Sequence, residues 1–299
     1  MYHQPVMLKE AVDGLSIKPE GTYVDVTFGG GGHSREILSR LGANGKLFAF
    51  DRDKAATANS LNDERFTLIE GDFKFMKNYL KMYNAVPFDG LLADLGVSSR
   101  QFDDADRGFS TRFDAVLDMR MTQSAKKSAK EIVNQYTEEQ LHDIFRNYGE
   151  LKQAGSIARA IVSRRTETSI NTTGELKETL NRFAPRGKSA KFFAQVFQAL
   201  RIEVNDEMEA LHELIAQTTE SLKPGGRFSV ISYHSLEDRP VKHFFKSGNF
   251  EGKQEKDLYG NILRPLTPVK NKVTTPTPEE IKENPRARSA KLRIAEKNG

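Results

Sequence analysis

Tyr23-Val24-Asp25-Val26-Thr27-Phe28-Gly29-Gly30-Gly31-Gly32-His33-Ser34 is the stretch on which the fold turns. Tyr23 to Phe28 has the β-branched and aromatic content of a short buried strand. Four glycines follow at once, and a helix-like run continues from His33 to Leu41. A strand that breaks into bare glycines and re-forms as a helix suits an anion or nucleotide cradle. Without Cβ atoms the backbone turns sharply and approaches a ligand closely, and the N–H groups of the helix N-terminus point at it. The plainer alternative is a tight strand-to-helix turn. Four glycines in a row, at the end of the first strong strand, favour a cofactor loop.

Working outward, residues 1–22 form a lead-in with partial helical spacing at Val6, Leu8, Ala11, Val12 and Leu15. Downstream, Gly42 to Gly45 ends the helix and Lys46 to Phe50 reads as a second strand, finishing on Asp51-Arg52-Asp53. Asp51 lies 22 residues beyond Gly29, at a strand tip where an acidic side chain hydrogen-bonds ribose hydroxyls in dinucleotide folds. The alternative, capping the next helix, suits Asp53 better. Residues 54–62 read as helix. Phe66 to Ile69 reads as a third strand ending in Glu70-Gly71-Asp72-Phe73, and Phe88 to Ala93 as a fourth ending in Asp94-Leu95-Gly96-Val97-Ser98-Ser99. Strands alternating with helices predict an α/β fold with a doubly wound, mostly parallel sheet. Strand order in such a sheet reverses between the first and fourth strands, and ligands bind outside their carboxyl ends. The 29–32 and 94–99 loops are therefore expected to face each other.

Residues 100–120 are rich in Asp, Arg and Gly, a poor composition for regular structure. From about Ser124 the pattern is helical. Ala129, Ile132, Val133 and Tyr136 share one face, and Leu141, Ile144 and Phe145 another, with Thr137 and Gln140 spaced as a capping box. Phe192, Phe193, Val196, Phe197 and Leu200 read as a core stripe, in preference to a base-stacking platform. A long helix over about 206–222 is stopped by Pro224-Gly225-Gly226. Arg227 to Ser232 is a fifth strand, ending in Tyr233-His234-Ser235. The simplest organisation is a discontinuous α/β domain, 1–120 with 201–299, carrying an all-helical insertion at 121–200. The tail 264–285 reads as extended, and Ala290, Leu292 and Ile294 as a last edge strand with Lys291 and Arg293 turned outward.

The hydrophobic fraction of 37% allows a real core, and no apolar run approaches the ~18 residues of a membrane span. The start of the chain lacks a basic region followed by an apolar one, so a cytoplasmic location is expected. The absence of Cys excludes disulfides, thiolate zinc sites and a cysteine nucleophile together, and no metal is expected. The net charge of +4 is unevenly spread: residues 121–200 carry 13 Lys and Arg against 8 Asp and Glu, and residues 264–299 carry 9 against 4. Two basic segments on an acidic body suit a polyanionic partner touched at defined places, or ordinary solvated surface.

A dehydrogenase would use the glycines and Asp51, but the third glycine of the dinucleotide fingerprint is replaced by Ser34, and the second half lacks another mononucleotide-binding repeat. S-adenosylmethionine, with one adenosine and no pyrophosphate, fits better. The chain resembles the bacterial small-subunit ribosomal RNA cytosine-N4 methyltransferases, the RsmH or MraW family. The matching stretches are His3-Gln4-Pro5-Val6, Asp25 to Ser34, Asp94 to Ser99, Arg107 to Ser110, Leu117 to Met121, Phe197 to Glu207, His234 to Arg239 and Ala287 to Arg293. Arg100 and Phe102 stand where the family usually has Pro and Leu.

The resemblance implies a class I S-adenosylmethionine-dependent, Rossmann-like methyltransferase domain with a helical, RNA-recognising insertion. Its substrate would be a cytidine near the decoding centre of 16S rRNA within the small ribosomal subunit. No membrane is implied as a partner, and a second copy of the chain is a candidate one. It further implies that Gly31, Gly32 and His33 contact the cofactor, that Asp51 holds the ribose, that Phe73 and Gln101 line the adenine and methionine sides, and that Asp94 closes the pocket. Chemically, an exocyclic cytosine amine is a poor nucleophile. It becomes usable when an acceptor such as Asp94 takes a hydrogen bond from it and the methyl lies in line at about 3–3.5 Å. His234 is the candidate for proton removal; its alternative is a strand-end histidine bonding nearby backbone. Arg164, Arg165, Arg186, Lys188 and Lys191, and in the tail Arg286, Arg288, Lys291 and Arg293, are expected to meet RNA phosphates. Two readings compete: an RNA-binding assembly factor with an empty nucleotide fold, and an N-methyltransferase acting on DNA or protein.

Overall fold

The computed structural model describes residues 5–299, Ser99 by its backbone alone, so His3 and Gln4 lie outside the described residues. The chain forms two compact units: Met1–Gly96 with Met208–Gly299, and Val97–Glu207. Among the described residues no helix is long and apolar enough to cross a membrane.

The first unit is built on seven strands, β1 (Thr22–Asp25), β2 (Lys46–Asp51), β3 (Phe66–Glu70), β4 (Phe88–Asp94), β5 (Leu222–Ser232), β6 (Leu266–Pro268) and β7 (Lys291–Lys297). Their order is β3-β2-β1-β4-β5-β7-β6. The first five run parallel, β7 is antiparallel to β5, and β6 is antiparallel to β7. Side chains alternate across the sheet. Val24, Phe48, Leu91 and Val230 fill one layer, while Tyr23, Leu47, Leu92 and Ile231 fill the other beneath Val12 and Ile37. Every residue of β4 from Phe88 to Ala93 is buried, as a central parallel strand covered on both faces requires. The order reverses where β1 lies between β2 and β4, which is the expected switch point.

Three details depart from the sequence reading. The last strand is not an edge, because Leu266–Pro268 pairs outside it; the tail is therefore not extended throughout, and a further helix, Pro278–Glu283, starts on the Thr277 cap. The segment 54–62 is a short 3₁₀ helix, Lys54–Asn59, started by the Asp53 side chain accepting from Ala55 N–H at 3.0 Å. The helix Glu207–Ser221 ends as expected, but Pro224-Gly225-Gly226 falls inside β5 at a register shift against β4 rather than in a separate turn.

Phe228 on β5 is fully buried and meets the Phe245 ring edge-on at 5.6 Å. Phe228→Ala is expected to lower stability by about 3–5 kcal/mol, the range for deleting a core aromatic, as measured by urea unfolding. A loss below about 1 kcal/mol would contradict this packing.

The second unit is helical. Ala129–Gln135, Glu138–Asn147, Ala154–Glu167, Thr173–Leu180 and Ser189–Val204 surround one core. Phe192, Phe193, Val196, Phe197 and Leu200 are all buried in it, so this stripe is packing. The Thr137–Gln140 capping box forms. The compact unit begins at Val97, ahead of residue 121, because Phe109, Leu117, Met119 and Met121 enter the same core. The 100–120 segment, expected to be irregular, opens with the short helix Ser99–Asp103 and a 3₁₀ turn, Ala105–Arg107, and is tied in by Leu117 N–H donating to the Asn171 carbonyl at 2.9 Å and by Arg107 Nη2 donating to the Arg120 carbonyl at 2.9 Å.

Candidate active site

Three neighbouring parallel strands each end on a carboxylate: β1 on Asp25, β2 on Asp51 and β4 on Asp94. This is the ligand-binding rim of a doubly wound sheet. Asp51 Oδ2 accepts from Gly29 N–H at 2.8 Å, and Oδ1 accepts from Asp53 N–H at 2.8 Å. A carboxylate has about four acceptor positions, so two remain for a diol. Burial pushes the Asp51 carboxyl up to about 6, against the pull of those backbone N–H groups.

The glycine loop has structural reasons of its own. Gly31 caps the helix Gly32–Arg40 at φ 73°, and a Cβ there would lie 2.8 Å from the Phe28 ring. A Cβ on Gly32 would overlap the Pro5 ring. The N-terminal segment thus lies over the loop. His33, buried, holds that segment through its Nε2 to the Val6 carbonyl at 3.1 Å, and burial lowers its pKa. The helix N-terminus supplies N–H groups without intrahelical partners, as a cofactor loop requires.

Asp25 was not singled out by the sequence reading, and it underlies the loop. It is fully buried, accepts Ser34 Oγ–H at 2.7 Å and Thr27 N–H at 3.0 Å, and burial raises its pKa. Thr27 Oγ1 in turn accepts Asp94 N–H at 2.6 Å, which joins the ends of β1 and β4. Asp25 was hidden in the sequence because the strand expected to run to Phe28 ends three residues earlier, at Asp25 itself.

Asp94 is held from above by Tyr233, whose hydroxyl donates to Oδ1 at 2.7 Å. Burial pushes the Asp94 carboxyl up to about 6, while His33 and the Tyr233 hydroxyl favour its ionised form. Burial and the adjoining Asp94 charge drive the Tyr233 phenol well above its ordinary value, so it stays a donor. Glu237 Oε2 accepts Tyr233 N–H at 2.8 Å, and Oε1 lies 3.1 Å from His234 Nε2. His234 caps the helix Ser235–Ser247, its Nδ1 accepting Glu237 N–H at a long 3.4 Å. These bonds assign its proton to Nε2. Tyr233 escaped the sequence reading because its partner Asp94 lies on another strand, and Glu237 because its bonds to Tyr233 and His234 depend on how the chain turns from β5 into the next helix.

Phe73 opens a 3₁₀ turn, Phe73–Phe75, just past β3, and packs partly buried on the core beneath the sheet. Gln101 belongs to the other unit. There Ser98 and Gln101 form a capping box: Gln101 Oε1 accepts Ser98 N–H at 3.1 Å, while Phe102 packs on the helical core. Of the basic residues expected to meet phosphate, Arg165 donates to the Val133 carbonyl at 2.8 Å. Arg293 holds Asp238 through Nε at 2.6 Å and Nη2 at 3.2 Å, and Lys291 holds it at 3.2 Å. Burial disfavours the Asp238 charge, but these cations outweigh it and keep its pKa below the usual range. Lys291 and Arg293 are therefore structural ties, whereas Arg186, Lys188, Lys191 and Arg288 are exposed.

The two strand-end carboxylates set a pH dependence. Asp51 and Asp94 offer all their acceptor positions, and a negative charge to offset a developing cation, only when ionised, and that form is lost as pH falls through about 6. Activity is expected to fall on an acidic limb near pH 6. Tyr233→Phe removes a donor that favours ionised Asp94, so the limb moves to higher pH. A pH–rate profile unchanged by Tyr233→Phe would contradict this coupling.

A family model described as the MraW methylase family matches residues 1–298. The chain is 60% identical over 296 residues to the ribosomal RNA small subunit methyltransferase H of Flavobacterium johnsoniae, across 99% of this chain and 98% of that one. It is 57% identical over 296 residues to the protein of that name from Christiangramia forsetii, across 99% and 98% of the two chains. It is also 57% identical over 297 residues to that of Parabacteroides distasonis, across 99% and 97%. The chain belongs to the MraW methylase family.

Proposed function

We propose that the chain transfers a methyl group from S-adenosylmethionine to the exocyclic N4 of a cytidine in 16S rRNA, near the decoding centre of the small ribosomal subunit. The observation that carries this reading is the rim of Asp25, Asp51 and Asp94 around a glycine loop, with Asp94 held by Tyr233. The relatives' names supply the substrate class, and an rRNA substrate supports a cytoplasmic location.

The residues fit the cofactor. Asp51 keeps two acceptor positions for ribose hydroxyls, Gly31, Gly32 and His33 form the methionine-side floor, and Phe73 flanks the adenine. Gln101 is assigned to the cofactor by its place in the family pattern alone. S-adenosylmethionine supplies an electrophilic methyl on a sulfonium. Asp94 would accept a hydrogen bond from the N4 amine as it gains positive charge on forming the new N–C bond, the S–C electron pair passing to sulfur. The proton then leaves to His234 Nδ1. Its bond to Glu237 N–H is long and readily given up, and the Glu237 carboxylate at 3.1 Å from Nε2 stabilises the imidazolium. No residue of this scheme needs a thiol, which suits exocyclic N-methylation, whereas C5 methylation of cytosine proceeds through a cysteine adduct.

Calorimetry with S-adenosylmethionine tests the reading: micromolar binding is expected. No binding would favour the competing one, an assembly factor that keeps the fold without the cofactor.

A further inference from the structure

A charged crevice on the first unit plays no part in the cofactor site. It lies between the helix Ser235–Ser247 and the segment 268–274 beside β7. Lys242, Lys246, Lys270, Lys272 and Arg293 line it together with Asn271, and no carboxylate is among its lining residues. Arg293 is already neutralised by Asp238. The four lysines have no side-chain partner among the described residues, and Lys242, Lys270 and Lys272 are exposed.

Such a set costs stability. Lys242 and Lys246 stand four residues apart on one helical face, where like charges repel, and Lys270 and Lys272 bring two more cations to the same crevice. Folding gains nothing visible from them, whereas an anionic partner would. The crevice is too small to cage an ion and its ammonium groups sit on flexible stems, which suits point contacts to an extended polyanion better than the caging of one small anion. Its position also fits a polymer whose reacting unit lies at the strand ends. The helix starts at the His234 cap, next to Tyr233, and Lys242 follows roughly 12 Å along its axis.

We propose that Lys242, Lys246, Lys270 and Lys272 bind the phosphate backbone of the substrate RNA outside the reacting nucleotide. This rests on the reading of the chain as an RNA methyltransferase. It also relocates the tail's RNA contact from Lys291 and Arg293, which Asp238 occupies, to the preceding loop.

The test is Lys270→Ala with Lys272→Ala, two exposed positions whose side chains support nothing in the fold. Affinity is measured for small ribosomal subunits and for deproteinised small-subunit RNA across a salt series, with cofactor binding followed in parallel. The double variant is expected to bind both RNAs at least about tenfold more weakly at 0.1 M salt and to lose roughly 1.4–1.8 from the salt slope. Its binding of S-adenosylmethionine is expected to stay unchanged. Unaltered RNA affinity and slope would overturn the proposal. So would a loss seen with subunits and absent with free RNA, which would assign the lysines to an acidic protein surface. If the unsubstituted protein bound neither RNA while still binding the cofactor, the RNA methyltransferase reading itself would fall and the proposal with it.

Discussion

Asp94→Asn is expected to lower kcat by about 10²–10³-fold while leaving the Kd for S-adenosylmethionine within about threefold. The substitution is isosteric, and the bond to Thr27 Oγ1 at the ends of β1 and β4 uses the backbone N–H of residue 94, so the rim survives. What changes is electrostatic. The carboxylate is ionised above about pH 6 and is pinned by the Tyr233 hydroxyl at 2.7 Å, so it is oriented before substrate arrives. A neutral amide cannot offset the positive charge that grows on the cytosine amine, and its own NH₂ meets the substrate NH₂ donor to donor. The effect therefore belongs to the transition state and appears in kcat. Single-turnover rates at saturating cofactor measure it. A rate within about threefold of the unsubstituted enzyme would remove Asp94 from the chemistry.

Asp51→Ala has the opposite signature. Two hydroxyl bonds to a carboxylate are lost from the ground state, and a bond to a charged group contributes about 1.5–3 kcal/mol, so the cofactor Kd should rise at least 10- to 150-fold. The loop beside it also loses an organiser, because the same carboxylate holds Gly29 N–H and Asp53 N–H. At saturating cofactor kcat should recover to within a fewfold, since Asp51 touches nothing that reacts. Calorimetry reads the affinity and steady-state kinetics the split. A variant that binds normally would move the ribose site elsewhere.

The parallel sheet, its switch point and the acidic strand tips were legible in the sequence because they follow from local rules. Strand and helix periodicities alternate, and the ends of parallel strands face the ligand. Asp51 and Asp94 were found on that basis. Asp25 was quoted as part of the opening stretch without a role, because only its fully buried bonds to Ser34 and Thr27 reveal it as the strut under the loop. Tyr233 was invisible as a functional residue, since its partner lies 139 positions away. The glycines carried two messages that look alike in one dimension: Gly31 and Gly32 serve the turn and the packing of Phe28 and Pro5 as well as any ligand. Lys291 and Arg293 looked like free cations in a basic tail, and the buried Asp238 that claims them comes from another element. The position of β7 was misread because a three-residue strand, Leu266–Pro268, leaves almost no periodicity to detect.

The proposed methylation of an exocyclic cytidine nitrogen in small-subunit RNA has a direct assay. It is tested most directly by incubating the protein with small ribosomal subunits and methyl-labelled S-adenosylmethionine, then digesting the RNA to nucleosides. Label is expected in N4-methylcytidine, and it should be lost with Asp94→Asn. Label in ribosomal protein, or in any other nucleoside, would contradict the account.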